Sequence, residues 1–313
     1  MKNFVIVKCP LRVSFFGGGT DFENYFKKNN SLIISAAINK YIYVILKKHG
    51  SQYDEKFRIN YSKVEKVNKI NNLSNNISRE VFKYFKTKRP VSLTILNDIP
   101  AGSGLGSSSL FCVSLTKAFF EMFSLQKSKM EHLKIVKNIE IKELKSPIGV
   151  QDYLPGIYGG FNGFFLNKKN IHVRKISNKN SKYLFNNCYL LWTGSFRSAS
   201  KILKNQKMNI KKNNEKLNEI KKISFLAEKE LNKKKLSLKK IGELLTLSWN
   251  NKKKLDSKIF SKKLKKIENK IVKTSPYGYK LLGAGGNGFY LVIANSFTAK
   301  KLRKTYGEKF FFK

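Results

Sequence analysis

The sequence predicts an α/β fold, of the α+β kind in which strands and helices gather in different parts of the chain. β-Branched and aromatic stretches dominate roughly the first hundred residues, whereas apolar residues at helical spacing dominate residues 197–273. Three glycine-rich turns each border a predicted strand. At 313 residues, with 41% hydrophobic side chains, the chain can form one long domain or two of ordinary size around a sizeable core.

The N-terminal region is predicted to form a sheet with a ligand-facing turn. Phe4–Cys9 and Arg12–Phe16 have the apolar patterns of strands. Pro10 is expected to interrupt the strand pattern and to connect the two strands. Gly17-Gly18-Gly19-Thr20-Asp21 follows as a glycine-rich turn that can face a ligand. Further elements are predicted in order along the chain: strands over 31–38, 41–47 and 57–61, and a helix over 77–85.

Val91–Asn97 is predicted to be a strand that breaks into a glycine-rich loop and restarts as an apolar helix over Ser107–Phe123. Gly102, Gly104 and Gly106 allow left-handed backbone conformations close to an oxyanion. The helix start offers unpaired N–H groups and the positive end of its dipole, so the loop suits a phosphate. No lysine follows the last glycine, which makes a Walker A loop a poor match, and a serine-capped structural turn remains the alternative.

The remainder of the chain is predicted to contain mostly helices before a third glycine-rich turn. Glu140 falls near the end of a helix over 128–144, which Ser146-Pro-Ile-Gly stops. Asp152 then precedes a turn at Gly159-Gly160. Further elements are predicted in order: a strand over 161–166, a strand over 188–193, helices over 197–207, 215–231, 237–253 and 257–273, the segment 277–282 that enters Gly283-Ala-Gly-Gly-Asn-Gly, and a strand over 289–293.

The formal net charge is +43, from 63 basic and 20 acidic residues. Such a charge indicates either a nucleic-acid or anionic-membrane partner or a chain-wide bias towards lysine. In the densest run, Lys201–Lys273, the lysines leave apolar residues on one helix face. We therefore expect a solvated surface with no specific nucleic-acid partner and no membrane partner, and a field that attracts an anionic small substrate. A basic nucleic-acid-binding protein remains the alternative.

Cysteine and histidine are too scattered for a zinc centre. Cys9, Cys112 and Cys188 lie among apolar neighbours, and the histidines have no partner at ligand spacing. The N-terminus enters a strand pattern where a signal peptide would be apolar throughout, and no apolar run is long enough to span a bilayer. We expect reduced core cysteines, oxygen ligands for any metal, and a cytoplasmic protein.

Two carboxylates, Glu140 and Asp152, lie on either side of the helix-breaking Pro147-Ile-Gly149. Phosphoryl transfer needs a cradle for phosphates, a carboxylate and a hydroxyl for Mg²⁺, a group near the acceptor hydroxyl, and a cation against the charge of the transition state. The three glycine-rich turns, these carboxylates, the serines of the central loop and the basic side chains of the sequence provide candidates for every part. The sequence therefore predicts a phosphoryl-transfer enzyme.

The chain is identified as a member of the GHMP kinase superfamily by three motifs that occur in order over nearly its whole length. The motifs are Pro10-Leu-Arg-Val-Ser-Phe-Phe-Gly-Gly-Gly-Thr-Asp21, Pro100-Ala-Gly-Ser-Gly-Leu-Gly-Ser-Ser-Ser109 and Lys280-Leu-Leu-Gly-Ala-Gly-Gly-Asn-Gly-Phe289. Within the superfamily the chain resembles the D-glycero-D-manno-heptose 7-phosphate kinases. That resemblance rests on Gly17-Gly-Gly-Thr-Asp21, Gly149-Val-Gln-Asp-Tyr153, Gly159-Gly-Phe-Asn162 and Thr193-Gly-Ser-Phe-Arg-Ser-Ala-Ser200.

The resemblance implies ATP and Mg²⁺ at the site. Ser108 and Glu140 would ligate Mg²⁺, Asp152 would accept or orient the proton of the attacking hydroxyl, and Arg12 would lie beside it. Arg197, at a helix start beside serines, would bind the phosphate of the acceptor. The implied ATP-binding residues are Pro100, Gly102, Ser103, Gly104, Leu105, Gly106, Ser107, Ser108 and Ser109, and the implied substrate-binding residues are Gly18, Gly19, Thr20, Asp21, Gly194, Arg197, Gly283, Gly285 and Gly286.

Each charged candidate also has a structural alternative. Glu140 could be a solvated helix carboxylate, and Asp152 could cap a helix. Arg12 could be an ion-pairing arginine at a strand edge, and Asp21 could bond to its own turn after Gly19. Arg197 could be a surface arginine on a capped helix.

The resemblance implies a two-domain GHMP kinase fold, with residues 1–166 like domain 2 of ribosomal protein S5 and residues 167–313 ferredoxin-like. It implies an ATP-dependent sugar kinase acting on the anomeric hydroxyl of D-glycero-D-manno-heptose 7-phosphate, in the synthesis of surface-glycan precursors, as a monomer or homodimer. Val150, Tyr153 and Asn287 differ from the usual residues of heptose kinases. A galactokinase-like or fucokinase-like enzyme, or a relative without catalysis, therefore remains an alternative.

Overall fold

A computed structural model describes residues 2–50, 52–196 and 200–312 of the chain. Its strands are β1 Phe4–Phe16, β2 Ser31–Lys48, β3 Phe57–Asn60, β4 Val64–Val67, β5 Val91–Asn97, β6 Phe161–Leu166, β7 Ile171–Lys175, β8 Cys188–Trp192, β9 Gly278–Leu281, β10 Phe289–Ile293 and β11 Phe311–Phe312. Its α-helices are α1 Glu23–Asn29, α2 Asn76–Tyr84, α3 Ser107–Met122, α4 Lys129–Lys137, α5 Leu154–Tyr158, α6 Asn178–Phe185, α7 Ser200–Met208, α8 Asn214–Leu231, α9 Leu238–Lys253, α10 Lys262–Val272 and α11 Ser296–Tyr306.

Two long strands, β1 and β2, organise the first sheet. They pair antiparallel from Phe4 opposite Lys47 to Phe16 opposite Ile34. The predicted break at Pro10 is wrong, because β1 continues through it and only shifts register between Pro10 and Arg12, where a residue without an N–H group is tolerated. The predicted gap after residue 38 is wrong as well. β2 continues because β6 pairs with its first half and β5 with its second half.

The first sheet is built around β2, which pairs with β1, β5 and β6. Among the described residues its order is β4-β3-β5-β2-β6-β7, with β1 added along β2. β7 pairs with β6, so this sheet extends beyond residue 166, and the division of the chain at that point stays a prediction. α3 packs against β1 and β2 through side chains such as Leu110, Leu115 and Phe119, which are fully buried. The apolar helix predicted after the central loop is therefore the buried layer beneath the sheet.

The second sheet has the order β11-β8-β10-β9 within the described residues, and its pairs are antiparallel. Alternate residues of β10 enter different cores. Tyr290 and Val292 join apolar side chains of α8, α10 and α11, whereas Leu291 and Ile293 join the core of the first sheet. The predicted strand over 289–293 is thus confirmed, and its burial on both faces brings the two halves of the chain together.

Two of the predicted helices are divided in the structure. The helix expected over 128–144 ends as α4 at Lys137 and continues as a π-helical turn, Asn138–Glu143. The helix expected over 257–273 is a 3₁₀ turn followed by α10, because Asp256 and Ser261 each accept a hydrogen bond from a new helix start. The sequence analysis missed α1, α5, α6, α11, β4, β7 and β11. Across the described ranges, no helix is both long and apolar enough to cross a bilayer.

Candidate active site

A cleft of about 310 Å³ lies between residues of both halves of the chain. It brings together side chains and glycines from all three glycine-rich turns. The predicted site residues that line it are Arg12, Gly19, Asp21, Gly102, Gly104, Gly106, Ser107, Ser108, Ser109, Glu140, Asp152, Gly283 and Gly285. Convergence of residues this distant in the chain is the first structural support for one common site.

The central loop presents the start of α3 to this cleft. Gly106, with φ of 81°, is the N-cap residue, and no side chain caps the helix. The structural alternative of an ordinary serine cap is therefore wrong. Ser107, Ser108 and Ser109 instead occupy the first helical turn, where N–H groups lack intrahelical acceptors. Ser108 is exposed, so its hydroxyl and the free N–H groups are available to an anion.

The central loop rests directly on the third glycine-rich turn. A Cβ atom added to Gly283 would lie 2.7 Å from Gly104 Cα, which is closer than atoms can pack. Backbone thus touches backbone at this point, and only glycine allows it. The contact makes the two turns one wall of the cleft.

Arg12 and Asp152 form an ion pair at the foot of the central loop. Arg12 is 2% exposed and lies on β1, while Asp152 ends the short 3₁₀ turn Val150–Asp152. One guanidinium nitrogen of Arg12 donates to Asp152 Oδ1 at 2.6 Å, and the other donates to the carbonyl of Gly104 at 2.6 Å. Asp152 caps no helix among the described residues, because the N-cap of α5 is Tyr153. The arginine is ion-paired, as one alternative has it, and its partner is the predicted catalytic aspartate.

Glu140 is buried inside the cleft and is not the solvated helix carboxylate of the structural alternative. It is 2% exposed, and the π-helical turn after α4 carries it. The Ser109 hydroxyl donates to it, but Oε2 has no hydrogen-bond partner among the described residues. Burial, and secondarily the charge of Asp152, raises the pKa of Glu140 to about 8. A cation bound at this unpartnered oxygen would stabilise the ionised form of the buried carboxyl group.

The predicted Mg²⁺ ligands fit that ion. Glu140 supplies a free carboxylate oxygen and Ser108 an exposed hydroxyl, and oxygen atoms are what Mg²⁺ prefers. No group of three or more His, Cys, Asp or Glu side chains gathers at metal-binding distance in the described part of the chain. The protein thus offers few ligands, as is usual where substrate phosphates complete the coordination.

Asp21 lines the same cleft as the central loop. It is 2% exposed and accepts hydrogen bonds from the N–H groups of Gly19, at 2.9 Å, and of Gln151, at 3.3 Å. The first bond belongs to its own turn, as the structural alternative requires, but the second joins that turn to the segment carrying Asp152. Burial, and then the charge of Asp152, raises the pKa of Asp21 to about 6. Asp21 is therefore held in place with its carboxylate on the cleft wall.

Other predicted residues support the site from outside the cleft. Ser103 and Leu105 are fully buried beneath the loop, and the Thr20 hydroxyl donates to the Gly17 carbonyl at 2.8 Å. Pro100, Gly18, Gly194 and Gly286 do not line the cleft in the described structure. Arg197 lies outside the described residues, so its proposed role stays a prediction.

Sequence reasoning missed Lys252 and Gln151, which both line the cleft. Lys252 is 4% exposed, and its Nζ donates to the Gly283 carbonyl at 2.5 Å. Gln151 Oε1 accepts from the hydroxyl of Ser14 at 2.8 Å. Gln151 adjoins the predicted Asp152 and could have been found by that proximity. Lys252 gave no signal, because it is one of many lysines in the helix predicted over 237–253.

Glu140→Gln is expected to raise the Mg²⁺ concentration for half-maximal activity about tenfold, because it removes an anionic ligand. Its Tm without Mg²⁺ should be equal or higher at pH 7. The pKa of Glu140 is raised from 4.5 to about 8, so the folded state loses stability as pH rises through that range, and the amide avoids this loss. The measurements are Mg²⁺ titrations of turnover and thermal unfolding. Glu143→Gln, which changes an exposed neighbour, is the control, and an unchanged Mg²⁺ titration in Glu140→Gln would move the metal elsewhere.

Comparisons with known proteins bear on this geometry. A sequence model described as the GHMP kinases N terminal domain matches residues 72–160. D-glycero-alpha-D-manno-heptose 7-phosphate kinase of Campylobacter jejuni is 28% identical over 96% of this chain and 93% of its own length. Galactokinase of Thermotoga petrophila is 26% identical over 49% of this chain and 43% of its own length.

The fold has solved counterparts as well. The crystal structure of a D-glycero-D-manno-heptose 1-phosphate kinase from Bacteroides thetaiotaomicron matches with a TM-score of 0.76 and 22% identity, over 96% of this chain and 92% of that chain. A mevalonate kinase from Methanococcus jannaschii matches with a TM-score of 0.74 and 23% identity, over 96% of this chain and 94% of that chain. At these identities the likeness is one of fold, and it confirms the predicted mixed α/β class.

Proposed function

This chain belongs to the GHMP kinases and is an ATP-dependent sugar kinase, and we propose that its acceptor is D-glycero-D-manno-heptose 7-phosphate, phosphorylated at the anomeric hydroxyl. The observation that carries the acceptor is the similarity to a heptose 7-phosphate kinase over 96% of this chain. The observation that carries the chemistry is the Arg12–Asp152 pair at the central loop. The product would be a heptose 1,7-bisphosphate and ADP.

The proposed reaction begins at Asp152. The anomeric oxygen attacks the γ-phosphorus of ATP, its proton passes to the Asp152 carboxylate, and the bond from the γ-phosphorus to the bridging oxygen breaks as ADP leaves. Arg12 holds that carboxylate in one direction through the 2.6 Å bond to Oδ1. Since its second nitrogen is bonded to the Gly104 carbonyl, the base and the phosphate loop are fixed relative to each other.

The phosphates of ATP are assigned to the central loop and the first turn of α3. The uncapped N–H groups of this turn and the exposed Ser108 hydroxyl supply donors without the lysine of a Walker A loop. Glu140 and Ser108 would hold Mg²⁺, which when bound neutralises charge on the phosphates. The backbone contact between Gly104 and Gly283 holds this loop against the third glycine-rich turn.

Asp21→Asn is expected to raise KM for the acceptor sugar about tenfold or more, while KM for ATP changes little. Its carboxylate is proposed to accept sugar hydroxyls, and a charge-assisted hydrogen bond contributes about 1.5–3 kcal/mol. Initial-rate kinetics with each substrate varied would measure both constants. Asp54→Asn, at an exposed carboxylate that does not line the cleft, is the control. An unchanged acceptor KM in Asp21→Asn would remove this residue from the acceptor site.

The acceptor is tested by measuring ADP release with Mg²⁺-ATP and heptose 7-phosphate, unphosphorylated heptose, mannose, galactose or fucose, with a no-sugar control. We expect the highest kcat/KM with heptose 7-phosphate. The Asp152→Asn variant, purified identically, corrects for contaminating kinases. Preference for galactose or fucose would replace the proposed acceptor with a neutral sugar and leave the kinase assignment intact.

A further inference from the structure

Lys252 is a buried ammonium group that forms no ion pair within the described residues. It lies in the last turn of α9, is 4% exposed, and lines the cleft. Its Nζ makes one hydrogen bond, to the carbonyl of Gly283 at 2.5 Å. In the described part of the chain, no carboxylate oxygen lies within the 4.0 Å that would define an ion pair with it. An ammonium has three N–H donors, so two remain for another group.

The position of this ammonium is defined from two sides. On one side its acceptor, Gly283, packs backbone to backbone against Gly104 of the phosphate loop. On the other side, a Cβ atom added to Gly18, in the turn of Asp21, would lie 3.4 Å from Lys252 Nζ. Lys252 therefore lies between the loop assigned to ATP and the carboxylate assigned to the acceptor. With ATP and the acceptor bound as proposed above, the transferring phosphoryl group would pass close to this ammonium.

A purely structural role explains the burial poorly. One neutral carbonyl, with the Asp21 and Asp152 carboxylates beyond ion-pair distance, offsets only part of the free energy lost when an ammonium leaves water. An arriving anion would offset much more. Other lysines here reach solvent, such as Lys240 within the same helix and Lys254 immediately beyond its last residue. The sequence thus had exposed positions for a lysine, yet this one points into the cleft.

We propose that Lys252 is a catalytic residue that binds the oxygens of the phosphoryl group during its transfer from ATP to the acceptor, an inference that rests on the kinase function proposed above. In a loose transition state, charge spreads over the three equatorial oxygens of that group. Lys252 donates two N–H bonds to these oxygens and stays protonated, while the hydroxyl proton goes to Asp152. The terminal guanidinium nitrogens of Arg12 already donate to Asp152 and to the Gly104 carbonyl. Lys252 is therefore the cation that binds the phosphoryl oxygens.

The proposal is tested with Lys252→Met, Lys252→Arg and the exposed control Lys254→Met. We expect Lys252→Met to lower kcat at least about 100-fold with KM for ATP within about threefold, since the interaction is made in the transition state. Lys252→Arg should recover part of the loss, and Lys254→Met should match the wild type. A loss confined to the acceptor KM would make Lys252 an acceptor-binding residue and overturn the proposal.

A binding measurement separates this proposal from the identity of the acceptor. Calorimetry in Mg²⁺ buffer compares ADP alone with ADP plus aluminium fluoride, a mimic of the transferring phosphoryl group, with no sugar present. In the wild type, aluminium fluoride should tighten ADP binding at least about tenfold, and Lys252→Met should lose this gain while binding ADP normally. If heptose 7-phosphate proves not to be the acceptor, this result is unaffected. An unchanged gain in Lys252→Met would overturn the role of Lys252.

The pH dependence provides a second readout. Burial lowers the pKa of Lys252 to about 8; Asp21 and Asp152 oppose this shift, and Arg12 adds to it, with Lys280 as a further buried cation nearby. We expect kcat/KM for ATP to fall as pH rises through about 8, because the ammonium of the free enzyme then loses its proton. In Lys252→Arg the fall should move to higher pH, since arginine stays charged. The same fall in both enzymes would contradict the proposal.

Protein stability distinguishes a catalytic lysine from a structural one. Because its pKa is lowered, protonated Lys252 destabilises the folded state below about pH 8, and a neutral side chain avoids this. We therefore expect Lys252→Met to have an equal or higher Tm at pH 7. Lys252→Gln, which keeps an N–H donor for the Gly283 carbonyl, is the second neutral variant. Failure of both variants to fold would assign Lys252 a structural role and overturn the proposal.

Discussion

Asp152→Asn is expected to lower kcat by about 10²–10⁴-fold, the range for a positioned acid–base group, while the fold and ATP binding are retained. The amide has nearly the same shape as the carboxylate and can still accept the hydrogen bond that Arg12 donates at 2.6 Å. It cannot take the proton of the attacking hydroxyl. The loss should therefore appear in kcat for every accepted sugar.

The stability of this variant should fall modestly. Arg12 is 2% exposed and would lose its only ion-pair partner within the described residues, which leaves a buried cation facing neutral acceptors. Thermal unfolding and ATP titration by calorimetry check that the fold and the nucleotide site survive. Asp54→Asn provides the surface control. Turnover within about threefold of the wild type, with ATP binding intact, would remove Asp152 from the catalytic role.

The sequence predicted the residues proposed for this reaction more completely than it predicted their arrangement. Arg12 and Asp152 are 140 positions apart, yet each was predicted from its motif, and the structure pairs them. The direct bond from Arg12 to the Gly104 carbonyl could not be predicted. It depends on how closely β1 approaches the loop, and a one-dimensional pattern does not contain that distance.

The errors of the sequence predictions have a common physical cause. Lys252 was one lysine among many in a helix, and only tertiary packing makes it buried. The turn that directs Glu140 inwards is π-helical, and a helical pattern of apolar residues does not reveal the extra residue in such a turn. The break predicted at Pro10 did not occur, because pairing with β2 along the whole of β1 outweighs the loss of one N–H donor. Tertiary contacts decided each case, and local propensity was only a weak guide.

Gly106→Ala is expected to lower kcat about 10²-fold by displacing Arg12. A Cβ atom at this position would lie 3.0 Å from Arg12 Cγ, 3.1 Å from Nε and 3.3 Å from Cζ, so the arginine must move. The guanidinium cannot move freely, because it is bonded at 2.6 Å to both Gly104 and Asp152. Displacing it turns the Asp152 carboxylate away from the acceptor. ATP affinity should fall as well, since Gly106 is the N-cap of the phosphate-binding helix.

Gly307→Ala separates the effect of this contact from that of backbone strain. Gly106 has φ of 81° and Gly307 has φ of 82°, but nothing lies within 4 Å of a Cβ atom added to Gly307. Gly307 also has ψ of 157°, a conformation that alanine adopts even less readily, so its loss of stability should be at least as large. Thermal unfolding should therefore show a lower Tm in both variants, while steady-state kinetics should show a large loss of kcat in Gly106→Ala alone. Equal kinetic losses in the two would mean that lowered stability, and not displacement of Arg12 from Asp152, limits turnover.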